Sequence, residues 1–248
     1  MHRTHRPARS GLPIRWSRLA LAGMLAPPAL AVIAATVPSA AHAGCSSDPG
    51  PGVDWTDCRK SALILSGKNM SKGRMFGADL MGSDLRRSVL EGADLTRTQL
   101  TRANLSGSRS AGAVFQKAEG TRVVLAKMDL RESDFTKAIL LRTSFANSDL
   151  SGATLRKGEF SRADFRKAKL AGANLSYANF NRADFRGADL SGVDLTTSWL
   201  YRARFEGADL SSAKGMTAEQ IAAACGDDET RLPEGVERPG DWPCGDDD

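Results

Sequence analysis

The sequence predicts an all-β solenoid with four sides, a β-helix closed by a short C-terminal capping helix. Three observations carry that prediction. From residue 65 to residue 210, every fifth position is apolar and large: of 30 such positions, 18 are Leu, 8 Phe and 2 Met, with only Ser110 and Gly120 departing. The residue two before each is small and mostly Ala, as in Ala173-Asn174-Leu175-Ser176 and Ala208-Asp209-Leu210-Ser211. Like residues also recur twenty apart, as in the column Leu65, Leu85, Leu105, Leu125, Phe145, Phe165, Phe185, Phe205.

A period of five fits neither the 3.6 of an α-helix nor the 2 of a plain strand. It fits a chain that turns a corner after each short extended piece. The large residue and the small one two before it point inward, and the other three meet water. The number of sides follows from the phenylalanines. Five inward Phe pairs are spaced by twenty (Phe115 with Phe135, Phe160 with Phe180, and three in the Phe145–Phe205 column), against two spaced by fifteen. Four repeats per coil give about seven and a half coils, and stacking at roughly 4.8 Å makes a rod about 36 Å long.

This motif, roughly Ala-Asp/Asn-Leu-x-x, resembles that of the pentapeptide repeat family, and the resemblance covers residues 63–214. It implies a right-handed quadrilateral β-helix. Some members of the family are negatively charged rods that mimic DNA and inhibit topoisomerases. Here the repeat body has the opposite sign of charge.

The segments before and after the repeats read differently. Residues 1–43 hold Arg3, Arg6, Arg9, Arg15 and Arg18 and no acid, then an apolar stretch over 19–37, then Ala41-His42-Ala43. That is the layout of a secretory signal peptide cleaved near Ala43, and Pro27, Pro28 and Pro38 disfavour a retained membrane anchor. Acylation at Cys45 is the weaker alternative, because His42 stands where a lipoprotein signal wants a Leu-like residue. The expected location is therefore the periplasm or outside the cell. Residues 44–62 then form an N-terminal cap, 63–214 the β-helix and 215–248 a C-terminal helix with an acidic cap or tail.

Four cysteines in an exported chain point to two disulfides. Cys45 and Cys58 precede the repeats, and Cys225 and Cys244 follow them. A bridge needs Cα atoms within about 7 Å, so none can span the rod, and pairing falls within each end. Both ends need closing, since open coil edges invite other chains. Trp55 and the first bridge serve one end. At the other, Thr217-Ala218-Glu219-Gln220 reads as a capping box opening a helix that runs through Cys225 and stops at Gly226, followed by an irregular tail.

Charge is segregated along the chain. Residues 59–214 carry 27 basic and 16 acidic residues, residues 215–248 two basic and ten acidic, and residues 44–58 three acidic and no basic. The basic residues fall in register: Arg102, Arg122, Arg142, Arg162, Arg182 and Arg202 form one ladder, and Arg97, Lys117, Lys137 and Lys157 a second on the neighbouring edge. Opposite the arginines lie Gly92, Gly112, Gly152, Gly172 and Gly192. The ladder is a candidate ridge for a regularly charged anionic polymer. Against that stands a plain solvated edge, its charge offset by Asp164 beside Arg162 and Asp184 beside Arg182. A second candidate is apolar: Ile139 and Leu141 flank inward Leu140, and Trp199 and Tyr201 flank Leu200 on the same side. Such a patch marks a surface for another envelope protein, although the tail is expected to cover Trp199 and Tyr201.

No catalytic set assembles. Signal cleavage removes His2, His5 and His42, so the mature chain has no histidine for a Ser/His or Cys/His pair or a zinc site. Asp129 over Asp149 and Asp189 over Asp209 imitate the roughly 5 Å carboxylate spacing of retaining glycosidases, but on a convex surface. No metal or cofactor is expected, and few outward aromatic residues argue against nucleic acid. Ser110 and Gly120 leave coil 105–124 short of bulk, for which Val114, Val123 and Val124 are the expected filling. The reading is a non-catalytic exported scaffold, with a mechanical spacer as the alternative.

Overall fold

The computed structural model describes residues 44–242, 244 and 245, so the expected signal peptide lies outside the described residues. A two-residue turn recurs every five residues, and between turns single residues pair in parallel with residues twenty further on, from Asp54↔Arg74 to Asp194↔Lys214. Four turns separate each residue from its partner, so each coil has four corners. Where the pairing is longest it forms two short strands, β1 (Glu119–Thr121) and β2 (Ile139–Leu141), with Gly120 opposite Leu140. This is a β-helix solenoid, in which most backbone hydrogen bonds run from one coil to the next and the rest close the corners.

The inward residues are shielded from water: the Leu, Phe and Met side chains at every fifth position of 65–210 are at most 3 % exposed. Large and small inward residues alternate along each coil, which fills the tube without overlap. All five Phe pairs spaced by twenty stack face to face, with centroids 4.6 Å apart for Phe115–Phe135 and 4.7 Å for Phe145–Phe165. Edge-to-face contacts link Phe160 and Phe180 to that second column, as in Phe165–Phe180 at 5.8 Å. At several turns a polar small inward residue turns its hydroxyl onto a carbonyl, as Ser133 does to Leu130 and Ser148 to Leu125, both at 2.6 Å. Ser88 Oγ and Thr143 Oγ1, at the same position in other turns, are buried without a partner among the described residues.

The under-filled coil is repaired by one residue. A Cβ on Gly120 would lie 2.6 Å from Val123 Cγ2, so the buried Val123, standing where Ala is usual, occupies the missing volume. Val114 and Val124 do not help, because they sit at outward pairing positions and are only half-buried. Ser110 is buried beside Ser108, with Oγ atoms 3.4 Å apart.

The coil reaches beyond the span assigned from the repeats. Asp54↔Arg74 and Arg59↔Asp79 bring part of 44–62 into the first coil, with Trp55 fully buried at the fifth-residue position. Repeat counting missed this because Lys60 interrupts the apolar series. At the other end α1 (Ala218–Ala222) is five residues long, with Thr217 and Gln220 forming the capping box. It ends before Gly226 because the chain returns to the coil: Cys225 donates its N–H to Ala203 O at 2.8 Å and accepts from Phe205 N at 2.8 Å. Arg231 then pairs with Asp209, so the tail is partly ordered coil rather than wholly irregular. Disulfides join Cys45 to Cys58 and Cys225 to Cys244, each with Cα atoms 5.4 Å apart. Trp242 closes over Gly226 and donates its indole N–H to Ala224 O at 2.9 Å.

Candidate functional site

Each corner is built alike. The carbonyl of the inward residue accepts the N–H three residues on, as Leu100 O does from Ala103 N at 2.8 Å. The residue between them, two past the inward one, has a positive φ at every corner from Gly67 to Gly207. All six ladder arginines occupy that position, with φ of 60° at Arg102, 57° at Arg122, 53° at Arg142, 58° at Arg162, 59° at Arg182 and 55° at Arg202. Left-handed backbone costs a residue with a Cβ roughly 1–2 kcal/mol and glycine almost nothing. Gly92, Gly112, Gly152, Gly172 and Gly192 take the same position on the opposite edge, with φ of 62–69°. Glycine's recurrence there, at the repeat position that holds arginine on the other edge, was the sequence signal for the left-handed turn.

The ladder is held rigidly by its own backbone. Arg122 N–H donates to Leu141 O at 3.0 Å, Arg142 to Ser161 O at 3.0 Å, Arg162 to Asn181 O at 2.9 Å and Arg182 to Tyr201 O at 2.8 Å. Arg102, Arg122, Arg142 and Arg162 are exposed, Arg182 and Arg202 half-buried. Among the described residues no ion pair engages Arg102, Arg122, Arg142, Arg162 or Arg182.

The expected neutralising partners turn elsewhere. Asp164 grips Arg166 at 2.9 Å and Asp184 grips Arg186 at 2.6 Å, rather than Arg162 and Arg182. The reason is local. An Asp or Asn just before an inward residue accepts the backbone N–H two residues on, as Asp84 does from Arg86 at 3.0 Å and Asn174 from Ser176 at 3.0 Å. An Arg at that second residue then adds its side chain to the same carboxylate, as in Arg86 Nε to Asp84 at 2.9 Å. This turn bond accounts for the Asp/Asn of the repeat, which the sequence alone left as surface.

These bonds lower carboxylate pKa values. The Arg86 side chain, then its backbone N–H, holds Asp84 at about 2. The Thr56 hydroxyl, then the Thr56 N–H and Arg74, hold Asp54 at about 2. Arg131 lowers Asp129, and at Asp164 burial pushes upward but the Arg166 donors outweigh it. A carboxylate whose folded pKa lies below its unfolded value of about 3.9 stabilises the fold above that value and stops doing so as pH falls through the folded pKa. Melting temperature should therefore hold steady from about pH 7 to 5 and fall between about pH 4 and 2. A melt series across that range that shows no acid limb would contradict the turn-bond account.

One wall of the tube runs between the arginine ladder and the Arg97–Lys117–Lys137–Lys157 edge, and the apolar candidates lie on it. Ile139 is 42 % exposed and Leu141 half-buried. Trp199 and Tyr201 are each 56 % exposed. The tail does not cover them: α1 reaches only the rim of the wall, where Gln220 Nε2 donates to Ser198 O at 2.8 Å, and the later tail pairs with the 204 and 209 rungs. Sequence reasoning missed Tyr177, which occupies a left-handed corner of the second basic edge, is 43 % exposed and has the Arg156 guanidinium 5.2 Å from its ring centroid.

The stacked aspartates are in register, Asp129↔Asp149 and Asp189↔Asp209, with Lys169 paired between Asp149 and Asp189. Each carboxylate is taken by its own turn: Asp129 by Arg131, Asp149 by Ser151, Asp189 by Ser191 and Asp209 by Ser211. No group of three or more His, Cys, Asp or Glu among the described residues is placed to hold a metal ion. An open notch of about 550 Å³ is lined by Ser66, Arg86, Arg87, Ser106 and Lys127. No described helix is long and apolar enough to cross a membrane.

The family model described as "Pentapeptide repeats" matches the chain in 8 copies, over residues 74–109, 98–136, 121–156, 129–166, 159–196 and 188–214. Among solved structures the chain is similar to full-length QnrB1, a plasmid-mediated fluoroquinolone resistance protein, at 21 % identity over 73 % of this chain and 94 % of that one, with a TM-score of 0.39. It is similar to HetL, involved in heterocyst differentiation regulation in the cyanobacterium Nostoc sp. strain PCC 7120, at 21 % identity over 74 % and 91 % of the two chains, TM-score 0.32. A pentapeptide repeat protein from the Arabidopsis thaliana thylakoid lumen is 27 % identical over 50 % of this chain and 77 % of its own, TM-score 0.21. No curated protein matches the sequence.

Proposed function

This chain belongs to the pentapeptide repeat family, whose members are generally non-catalytic structural or interaction proteins, and from that premise we propose that it is an exported scaffold whose arginine ladder binds an anionic polymer. The tube is a right-handed β-helix of about seven and a half coils over the repeat span, with α1 and the tail closing its C-terminal mouth. Disulfides at both ends are compatible with export, since reducing compartments do not maintain them.

The observation that supports ligand binding is the ladder's regularity, one arginine on each of six successive rungs. Six consecutive corners of one edge hold arginine in a conformation that glycine adopts at almost no cost, and the opposite edge uses glycine repeatedly. The same left-handed corner holds Lys127, Glu132, Asn147 and Thr197 on other edges, so what sets this edge apart is its unbroken run of six arginines. The coil spacing of roughly 4.8 Å presents one cation per rung, a repeat suited to a polymer with regularly spaced charge. The positive repeat body has the wrong sign for imitating DNA.

The test is retention on a heparin-type resin at low and high salt. The chain should be retained at low salt and released by added salt. The triple variant Arg142→Gly, Arg162→Gly, Arg182→Gly should pass through at low salt. Unchanged retention of the variant would overturn the ladder as the binding edge, and no retention of the parent chain would favour the mechanical spacer.

A further inference from the structure

We infer that the wall beside the arginine ladder carries a sugar-stacking subsite formed by Tyr177, Trp199 and Tyr201, and hence that the anionic polymer is an acidic polysaccharide. This rests on the anionic-polymer reading above. Two features that look unrelated in the sequence, the ladder and the aromatic patch, share one wall.

The three residues stand on two adjacent rungs of one wall. Asn179 pairs with Trp199 across one coil step, Phe180 N–H donates to Trp199 O at 2.9 Å and Arg182 N–H to Tyr201 O at 2.8 Å. Tyr177 stands on the rung below, at the corner of the same wall. They are three of the seven large hydrophobic side chains exposed among the described residues, and the rest of this wall contributes Met81 and Ile139. Tyr201 N–H donates to Asn181 Oδ1 at 3.0 Å, which fixes that side chain and leaves its amide nitrogen as the donor end.

Aromatic faces carry negative charge density, and the C–H bonds on one face of a pyranose ring are polarised positive by the neighbouring oxygens, so the ring lies flat on the aromatic face. Its hydroxyls point sideways, where the amides of Asn179 and Asn181 can meet them. Its carboxylate or sulfate then faces the arginine edge beside the wall. Inorganic polyphosphate would use the arginines but has no ring to stack. A protein partner would need a broad dry apolar surface, whereas Asn179 and Asn181 lie among the rings.

The experiment titrates the full exported chain with polygalacturonate, inorganic polyphosphate and a single-stranded oligodeoxythymidine, following tryptophan fluorescence and mobility. Trp55 is fully buried, so Trp199 is the exposed reporter on this wall. The double variant Trp199→Ala, Tyr201→Ala should weaken polygalacturonate binding by about tenfold or more and leave polyphosphate binding unchanged. Trp199→Phe should retain most of the affinity, and the melting temperature should not move, since both side chains are exposed. Equal losses for polygalacturonate and polyphosphate, or no loss for either, would overturn the stacking subsite. A larger loss for the oligonucleotide would overturn it in favour of nucleic acid. If the aromatic variant is silent while the Arg142/Arg162/Arg182 glycine variant still loses polyphosphate, the ladder reading stands and only this inference fails.

Discussion

Phe165→Ala should lower the unfolding free energy by about 3–5 kcal/mol, the range for deleting a fully buried aromatic ring. Phe165 is fully buried between Phe145 at 4.7 Å and Phe185 at 4.9 Å, with Phe160 and Phe180 set against it edge-on at 6.2 and 5.8 Å. Four rings would lose a partner at once. The walls cannot collapse to fill the gap, because coil-to-coil hydrogen bonds such as Phe165 N–H to Asp184 O at 2.7 Å fix the tube's width. Phe165→Leu keeps the inward apolar residue that most coils use and should cost less than about 1.5 kcal/mol. Denaturant titration of both variants checks this. A loss below about 1 kcal/mol for the alanine variant would mean that the tube adjusts its width after all.

The second large effect has the opposite sign. Arg122→Gly, Arg142→Gly, Arg162→Gly and Arg182→Gly together should raise stability by about 4 kcal/mol, roughly 1 kcal/mol per corner relieved of left-handed strain. The four sites have φ between 53° and 59°. Removing four like charges would also ease repulsion, so an alanine set is the control. Alanine removes the guanidinium and keeps the Cβ that makes the conformation costly. Glycine variants well above alanine variants place the cost in the backbone, and equal gains would place it in charge. A ladder that costs stability and carries ligand affinity is the trade-off expected of a functional surface.

Most of the tube was legible because its rule is local and repeated. One apolar residue in five, a small residue two before it, and phenylalanines recurring at twenty suffice to wind the chain and pair its coils. The ends were less legible because they break the rule. Lys60 interrupts the apolar series that Trp55 begins, and α1 is shortened by backbone pairing at Cys225 that no local signal announces. The ladder's register was readable, and the strain beneath it was signalled only by glycine recurring at the same repeat position on the opposite edge. The partners of Asp164 and Asp184 were not legible. Proximity in sequence suggested Arg162 and Arg182 as partners, whereas the turn bond to the residue two ahead delivers both carboxylates to Arg166 and Arg186.

The account depends on the arginines standing in single file, one per coil. Nitroxide labels attached through Arg122→Cys and Arg142→Cys test this directly by electron paramagnetic resonance, with labels through Arg122→Cys and Lys137→Cys as the comparison. A twenty-residue coil stacks the first pair about 4.8 Å apart at the backbone, so their spectrum should be collapsed by spin exchange while that of the comparison pair is not. Stronger coupling in the pair fifteen residues apart would mean a three-sided tube, and the ladder would not exist.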